Sequence, residues 1–154
     1  MLARIQPVLD RAAIAARIPH EGRMCLLERV LDWDENGIRC MALSHRDADN
    51  PLREAGGLPV WAAIEYAAQA VAVHGGLLQT HAEPRSGVLA ALRNVEATCQ
   101  WLDRIDGELI ISAALLHSDA AGGIYRFQAS ADERVLISGQ FTLMFREAMK
   151  GSVE

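Results

Sequence analysis

The stretch Val60-Trp-Ala-Ala-Ile-Glu-Tyr-Ala-Ala-Gln-Ala-Val-Ala-Val is helical in composition and apolar on every face, with Glu65 its one charged residue. A helix of that kind does not stand in water, so the rest of the chain must wrap it, and its many alanines let surrounding layers approach closely on several sides. Glu65 sits awkwardly there. A buried carboxylate must find a partner or stay protonated, because an uncompensated charge in an apolar setting costs several kcal/mol or more.

The wrapping material is written in the remainder of the sequence. Residues 24–33 are apolar and strand-like, Asp34-Glu-Asn-Gly37 carries a hairpin turn signal, and residues 38–44 alternate again, which predicts a first hairpin. The helix itself is predicted over about 59–75, with Pro59 suited to its first turn and Gly75-Gly76 marking its end. Four strand candidates follow, at 87–100, 108–117, 124–131 and 134–145, separated by turn signals at Asp106-Gly107, at 119–123 and at Asp132-Glu133. One Ala-rich helix followed by consecutive antiparallel strands is an α+β pattern, and six strand segments suffice to curl a sheet around the helix. Near the start, Val8, Leu9, Ala12, Ala13 and Ala16 recur at helical spacing between Pro7 and Ile18-Pro19, predicting a short helix, while the polar stretch 45–58 reads as a long loop. With 154 residues and no repeat, low-complexity stretch or linker, a single domain over 1–154 is expected.

Composition narrows the function. Apolar residues make up 51% and charged residues 23%, which is ordinary for a globular chain. The formal charge of -5, with Lys150 the one lysine and the arginines scattered, argues against nucleic acid as the main partner, since phosphate binding needs a clustered basic excess. The three cysteines, Cys25, Cys40 and Cys99, are odd in number and form no CxxC pair, which suits buried thiols in a reducing compartment. Neither a signal peptide nor a membrane span is apparent, so a cytoplasmic location is expected; the longest uncharged run, 66–82, is too short and holds Gln69, His74 and His81.

Two segments carry candidate chemistry. In Ile18-Pro-His-Glu-Gly-Arg-Met24, Pro19 fixes its own φ and biases Ile18 toward an extended conformation, so His20 enters on a rigid turn. A histidine there suits a positioned base with a pKa near neutrality, or is simply a surface or capping residue. Glu65 suits an acid kept protonated by apolar surroundings, or is paired with Arg93 or Arg104, or lies on an exposed strip. Its helical neighbours are Trp61, Ala62, Ala68 and Gln69, and the i, i+4 spacing lets the Gln69 amide hydrogen-bond the Glu65 carboxyl group and hold its rotamer.

Residues 18–30, Ile-Pro-His-Glu-Gly-Arg-Met-Cys-Leu-Leu-Glu-Arg-Val, resemble the Leu-Pro-His and Leu-Leu-x-Arg-Val signature of bacterial 3-hydroxyacyl-acyl-carrier-protein dehydratases of the hotdog superfamily. Ala63-Ile-Glu-Tyr-Ala-Ala-Gln-Ala70 resembles their Ile-Glu-Ala-Leu-Ala-Gln helix, and residues 89–96 and 106–109 fall where the family places its next strands and turn. The similarity spans roughly residues 15–145. Pro59-Val60-Trp61 before the Ile-Glu-Tyr is similar to the dehydratase-like proteins of aryl-polyene and other polyketide-type fatty acid pathways.

The resemblance implies a hotdog fold and loss of water from a 3-hydroxyacyl thioester, delivered on acyl carrier protein or coenzyme A. It assigns His20 and Glu65 as the catalytic pair and calls for no metal or organic cofactor. It also implies a dimer, with itself or with another hotdog chain, in which His comes from one chain and Glu from the other. The backbone N–H groups near Val60 and Trp61 are expected to receive the oxyanion and, with Gln69, to form the substrate-binding set. One departure stands out: common members carry a glycine where this chain has Val60, and its glycines are displaced to Gly56-Gly57. Trp61 is expected to reshape the acyl tunnel.

Two rival readings are a thioesterase, against which the His20 motif counts, and a noncatalytic hotdog partner, against which retention of both His20 and Glu65 counts. The remaining histidines attract no role. The stretch His45-Arg-Asp-Ala-Asp49 reads as a solvated loop rather than a metal site, and His74, His81 and His117 read as helix-end, loop and strand-end residues.

Overall fold

In the computed structural model, which describes residues 9–18, 22–78 and 87–145 with backbone alone at Arg23, the alternating segments join in one six-stranded sheet. The strands are β1 Arg29–Asp34, β2 Gly37–Ala42, β3 Gly87–Ala97, β4 Leu109–Asp119, β5 Gly122–Ala131 and β6 Arg134–Phe145, in the spatial order β1-β2-β4-β5-β6-β3 with every neighbouring pair antiparallel. A short helix α1, Arg11–Ala15, precedes β1, and the long helix α2, Ala63–Leu78, lies between β2 and β3 in the chain, led in by a single 3-10 turn over Val60–Ala62. Helix α2 packs against β2, β4 and β5. The α+β layout of a sheet against one central helix is the one expected.

Alternation along the strands decides which face meets the helix. On β5, Tyr125, Phe127, Ala129 and Ala131 are buried while Arg126 between them is exposed, and Ile111 and Ala113 of β4 and Ile38 and Cys40 of β2 line the same core. From α2 come Ala63, Tyr66, Ala67, Ala70, Val71 and Val73, all buried. Phe127 stacks on Phe141 with ring centroids 5.4 Å apart, an arrangement worth about 0.5–1.5 kcal/mol beyond its buried area.

Turn chemistry closes the hairpins. The Asp34 carboxylate accepts from the N–H groups of Asn36 at 2.8 Å and Gly37 at 3.1 Å, folding β1 back onto β2. A Cβ at Gly37 would stand 2.6 Å from the Ala113 carbonyl oxygen, so only glycine lets β4 approach there. Between β5 and β6 the loop is Asp132-Glu133, both left-handed with φ of 50° and 64°, the twist that a two-residue hairpin requires.

Several boundaries differ from expectation. Helix α2 runs through Gly75 and Gly76 to Leu78: no neighbour lies within 4 Å of a Cβ built at either glycine, and Leu77 beyond them packs on the core. Each glycine costs about 1 kcal/mol of helix propensity, which that packing outweighs. Helix α1 begins at Arg11, where the Asp10 side chain caps the Ala13 N–H at 2.9 Å; Pro7, its expected start, lies outside the described residues. The first hairpin opens at Arg29 rather than at residue 24. Among the described residues no helix is long and apolar enough to cross a membrane.

Candidate active site

The approach to α2 is built from the loop that follows β3. Leu102 N–H donates to the Leu58 carbonyl at 2.8 Å, Val60 N–H donates to the Gln100 carbonyl at 2.9 Å, and Pro59 faces Trp101 between them as an isolated antiparallel bridge. The Asp103 carboxylate takes the Leu58 N–H at 3.0 Å. This corrects the oxyanion expectation at Val60, whose N–H is already committed and whose side chain is buried. Pro59 has no N–H and Ala62 donates to Pro59, so Trp61 carries the one backbone N–H from Leu58 to Ala62 without a hydrogen bond among the described residues.

The displaced glycines serve this same bridge. A Cβ on Gly56 would lie 2.5 Å from the Trp101 indole, and one on Gly57 (φ +131°) would lie 2.7 Å from the Asp103 carboxylate. Arg104 covers the other side, 5.3 Å from the Trp101 ring centroid, and donates to the Gly56 carbonyl at 3.3 Å. Gly56→Ala should therefore displace the indole and cost about 1–3 kcal/mol of stability, the usual range for overpacking. Urea denaturation measures this, and an unchanged midpoint would contradict the packing.

Glu65 stands in the open. Trp61, Glu65 and Ala72 are exposed and Ala68 is half-buried, so along α2 the positions i, i+4, i+7 and i+11 form a bare strip. The reading of the helix as apolar on all faces and enclosed is thus corrected: the helix packs on β2, β4 and β5, and the strip through Trp61, Glu65, Ala68 and Ala72 is left uncovered by the described residues. Trp61 is 56% exposed, unusual for so large an apolar side chain. Among the described residues no hydrogen bond or ion pair reaches Glu65; Arg104 is engaged at Trp101 and Arg93 lies on β3. Strand β3 is bare as well, a sheet edge with Leu89 and Leu92 exposed.

Gln69, one turn beyond Glu65, does not bond to it. It is 3% exposed; its Oε1 accepts the Leu26 N–H at 2.9 Å and its Nε2 donates to the Met24 carbonyl, so both ends of the amide hold the segment that follows the His20 motif. The expected Gln69–Glu65 hydrogen bond is corrected accordingly. Tyr66 reaches toward the same segment. Ser44 Oγ donates to the Leu26 carbonyl at 2.7 Å, which leaves the Tyr66 hydroxyl to donate to Ser44 at 2.8 Å, while Asn50 donates to Tyr66 at 2.9 Å and to the Ser44 carbonyl at 2.9 Å. Burial pushes the Tyr66 phenol above its ordinary pKa, an effect these hydrogen bonds partly offset. With Leu26 bonded to side chains, residues 25–28 join no strand. His20 itself lies outside the described residues.

The comparisons bear directly on this arrangement. The chain matches the model of the ApeP-like family, described as ApeP dehydratase, over residues 12–152. The chain belongs to the ApeP-like dehydratase family. A chain of the dehydratase heterocomplex ApeI:P from Xenorhabdus doucetiae is similar at 27% identity and TM-score 0.78, with 92% of this chain and 97% of that one covered. More distant likenesses show the hotdog fold alone: a thioesterase from Haemophilus influenzae, at 14% identity and TM-score 0.57 with 77% of each chain covered, and a protein from Helicobacter felis, at 11% identity and TM-score 0.61 with 90% and 89% covered. Comparison with functionally curated proteins returned no match. This ApeP-like chain is a hotdog dehydratase, a hydro-lyase, as the motifs implied.

Two further histidines of this dehydratase are buried, contrary to expectation. His45 is fully buried in a 3-10 turn; its Nε2–H donates to the Ile105 carbonyl at 3.1 Å, its Nδ1 has no partner among the described residues, and burial lowers its pKa. Its neighbour Arg46 pairs with Asp106 at 2.8 Å, so the loop expected to be solvated is fastened to the one after β3. His74 is buried inside α2 rather than at its end: Nε2–H donates to the Asp34 carbonyl at 2.7 Å, Nδ1 accepts from the Tyr125 hydroxyl at 2.8 Å, and burial lowers its pKa. Both were absent from the expected core because histidine usually samples the surface. The signal that could have raised His74 is its spacing with Ala63, Ala67 and Ala70 on one helical face. His117 pairs with Asp119 on the surface at 3.3 Å, and His81 lies outside the described residues. Cys25 and Cys40 are buried free thiols, burial pushing Cys40 up to about 12, and Cys99 is partly buried. Among the described residues no three His, Cys, Asp or Glu side chains cluster as metal ligands.

Proposed function

We propose that this dehydratase, a single hotdog domain over 1–154, removes water from a 3-hydroxyacyl thioester carried on acyl carrier protein or coenzyme A, giving the trans-2-enoyl thioester in aryl-polyene or related fatty acid biosynthesis. The observation that carries this is Glu65: a carboxylate with no partner among the described residues, on a bare apolar strip next in sequence to the buried core of α2. Among the described residues, no hydrogen bond or ion pair of the fold requires it there.

In the reaction, neutral His20 takes the proton from Cα, and the released electron pair forms the Cα–Cβ double bond. The Cβ–O bond breaks, and the hydroxyl leaves as water with the proton of Glu65. Negative charge developing on the thioester oxygen is received by the N–H of Trp61, which has no hydrogen bond among the described residues, whereas that of Val60 is committed to Gln100. The Trp61 side chain then lines the acyl path, and Gln69 contributes through the backbone it holds.

A second hotdog chain completes the site. The strip of Trp61, Glu65, Ala68 and Ala72 and the unpaired edge of β3 with Leu89 and Leu92 form the surface it would cover, and membership of a similar chain in the ApeI:P heterocomplex supports a partner of the same fold.

The test is mass spectrometry of 3-hydroxyacyl-carrier-protein incubated with the purified protein, alone and with its hotdog partner. Loss of 18 Da, about one water, supports the reading. Release of the free acid would replace it with hydrolysis, and an unchanged acyl group in both preparations would leave a noncatalytic subunit. A monomer at micromolar concentration, in the presence of other hotdog chains, would remove the shared site.

A further inference from the structure

We infer that Gln69 is a positioning residue for the dehydration, locking the chain that emerges from the His20 motif onto the central helix; this rests on His20 serving as the base. Residues 24–26 have no β-ladder to hold them, and side chains satisfy their carbonyl groups instead. Arg11 donates to the Cys25 carbonyl at 2.7 Å, Ser44 to that of Leu26 at 2.7 Å, and Gln69 to that of Met24. Of these three, Gln69 is the one whose side chain both donates to and accepts from the segment, binding two of its residues at once. Arg11 comes from a five-residue helix and Ser44 from a single 3-10 turn, whereas Gln69 projects from the middle of the sixteen-residue α2 and is almost fully buried.

The amide is suited to this task in a way no isosteric side chain is. A leucine would fill the space and leave the Leu26 N–H and the Met24 carbonyl unmatched. A carboxylate would accept from Leu26 but could not donate to Met24 until protonated. The base in a proton abstraction must stand within hydrogen-bond reach of the substrate carbon's proton, and a displacement of about 1 Å is enough to cost on the order of 10²-fold in rate. Three residues separate His20 from Met24. Bonding Met24 and Leu26 to a rigid helix anchors the chain directly after those three residues.

Gln69→Glu and Gln69→Leu, each purified with whatever hotdog chain the wild type requires, distinguish positioning from packing. With 3-hydroxyacyl-carrier-protein as probe, the expected result at pH 8 is a fall in kcat of about 10²-fold in both variants, with KM within about threefold of wild type. As pH drops toward 6, the ratio of Gln69→Glu to wild-type kcat should rise, because the protonated side chain regains its donor; the Leu variant should show no such recovery. Equal kcat in wild type and both variants, or losses confined to KM, would overturn the inference while leaving the proposed reaction standing. A wild-type protein that performs no dehydration would instead overturn the proposed reaction, and the inference with it. Should the Leu variant fail to fold, the pH-dependent ratio of the Glu variant decides.

Discussion

Glu65→Gln lowers the rate of dehydration by about 10³-fold or more and leaves the thermal unfolding midpoint where it was. Both halves of that expectation come from one observation. The Glu65 side chain is exposed in the single chain and has no hydrogen bond or ion pair among the described residues, so amidation removes no folding contact. What it removes is the proton that leaves with the substrate hydroxyl, for which an amide is no substitute. His20→Ala should produce a loss of the same order, by removing the base. Single-turnover measurement of enoyl product, with unfolding followed by circular dichroism, tests both variants. Full activity in Glu65→Gln would strip the carboxylate of its role, and a large drop in its midpoint would mean that Glu65 serves the fold instead.

The second large effect is on stability in acid. His45 and His74 are both buried and both have lowered pKa values, with burial the leading cause. In the unfolded chain each takes up a proton near its ordinary pKa of about 6.5, while the folded chain resists protonation to lower pH. Below about pH 6.5 the unfolded state therefore binds more protons, and stability falls as pH falls; above it the full contribution is present. Two protons set a limiting slope of about 2.7 kcal/mol per pH unit. Urea titrations at pH 5, 6, 7 and 8 read this directly. His74→Gln should flatten the slope by about one proton, at the cost of the Tyr125 and Asp34 hydrogen bonds, and an unaltered slope would mean that His74 is protonated equally in both states. The window lies well above the range where carboxylates titrate.

How much of this was legible in the sequence differs from element to element. Strand β6 begins and ends at the residues its alternation predicts, because its inward face is apolar over its whole length and its turn, Asp132-Glu133, stands next to it. The end of α2 is not legible in the same way. Two consecutive glycines are a stop signal only when nothing beyond them is worth burying, and Leu77 packs on the core. The start of the first hairpin is hidden for a related reason: residues 24–28 are apolar enough for a strand, but Gln69 and Ser44 bind the backbone groups of Leu26 that a ladder would have used. Periodicity registers side-chain burial and is blind to which partner a backbone amide finds.

The candidate site divides along the same line. Its residue types, a histidine after proline and a lone glutamate in an Ala-rich helix, could be read directly, because chemistry needs particular side chains and few other pressures place a charge in such a helix. Their environment could not. That Val60 N–H is consumed by Gln100, that Gln69 turns toward Leu26, and that Glu65 lies on a bare strip each depend on residues some 35 to 45 positions away in the chain. Local pattern determined the α+β class, the central helix and the acid-base candidates, since those follow from side-chain type and spacing along one segment. Tertiary structure alone decided which amide is free, which side chain holds the turn and which face is left for a partner, because a hydrogen bond or a buried surface exists only when two distant segments have been brought together.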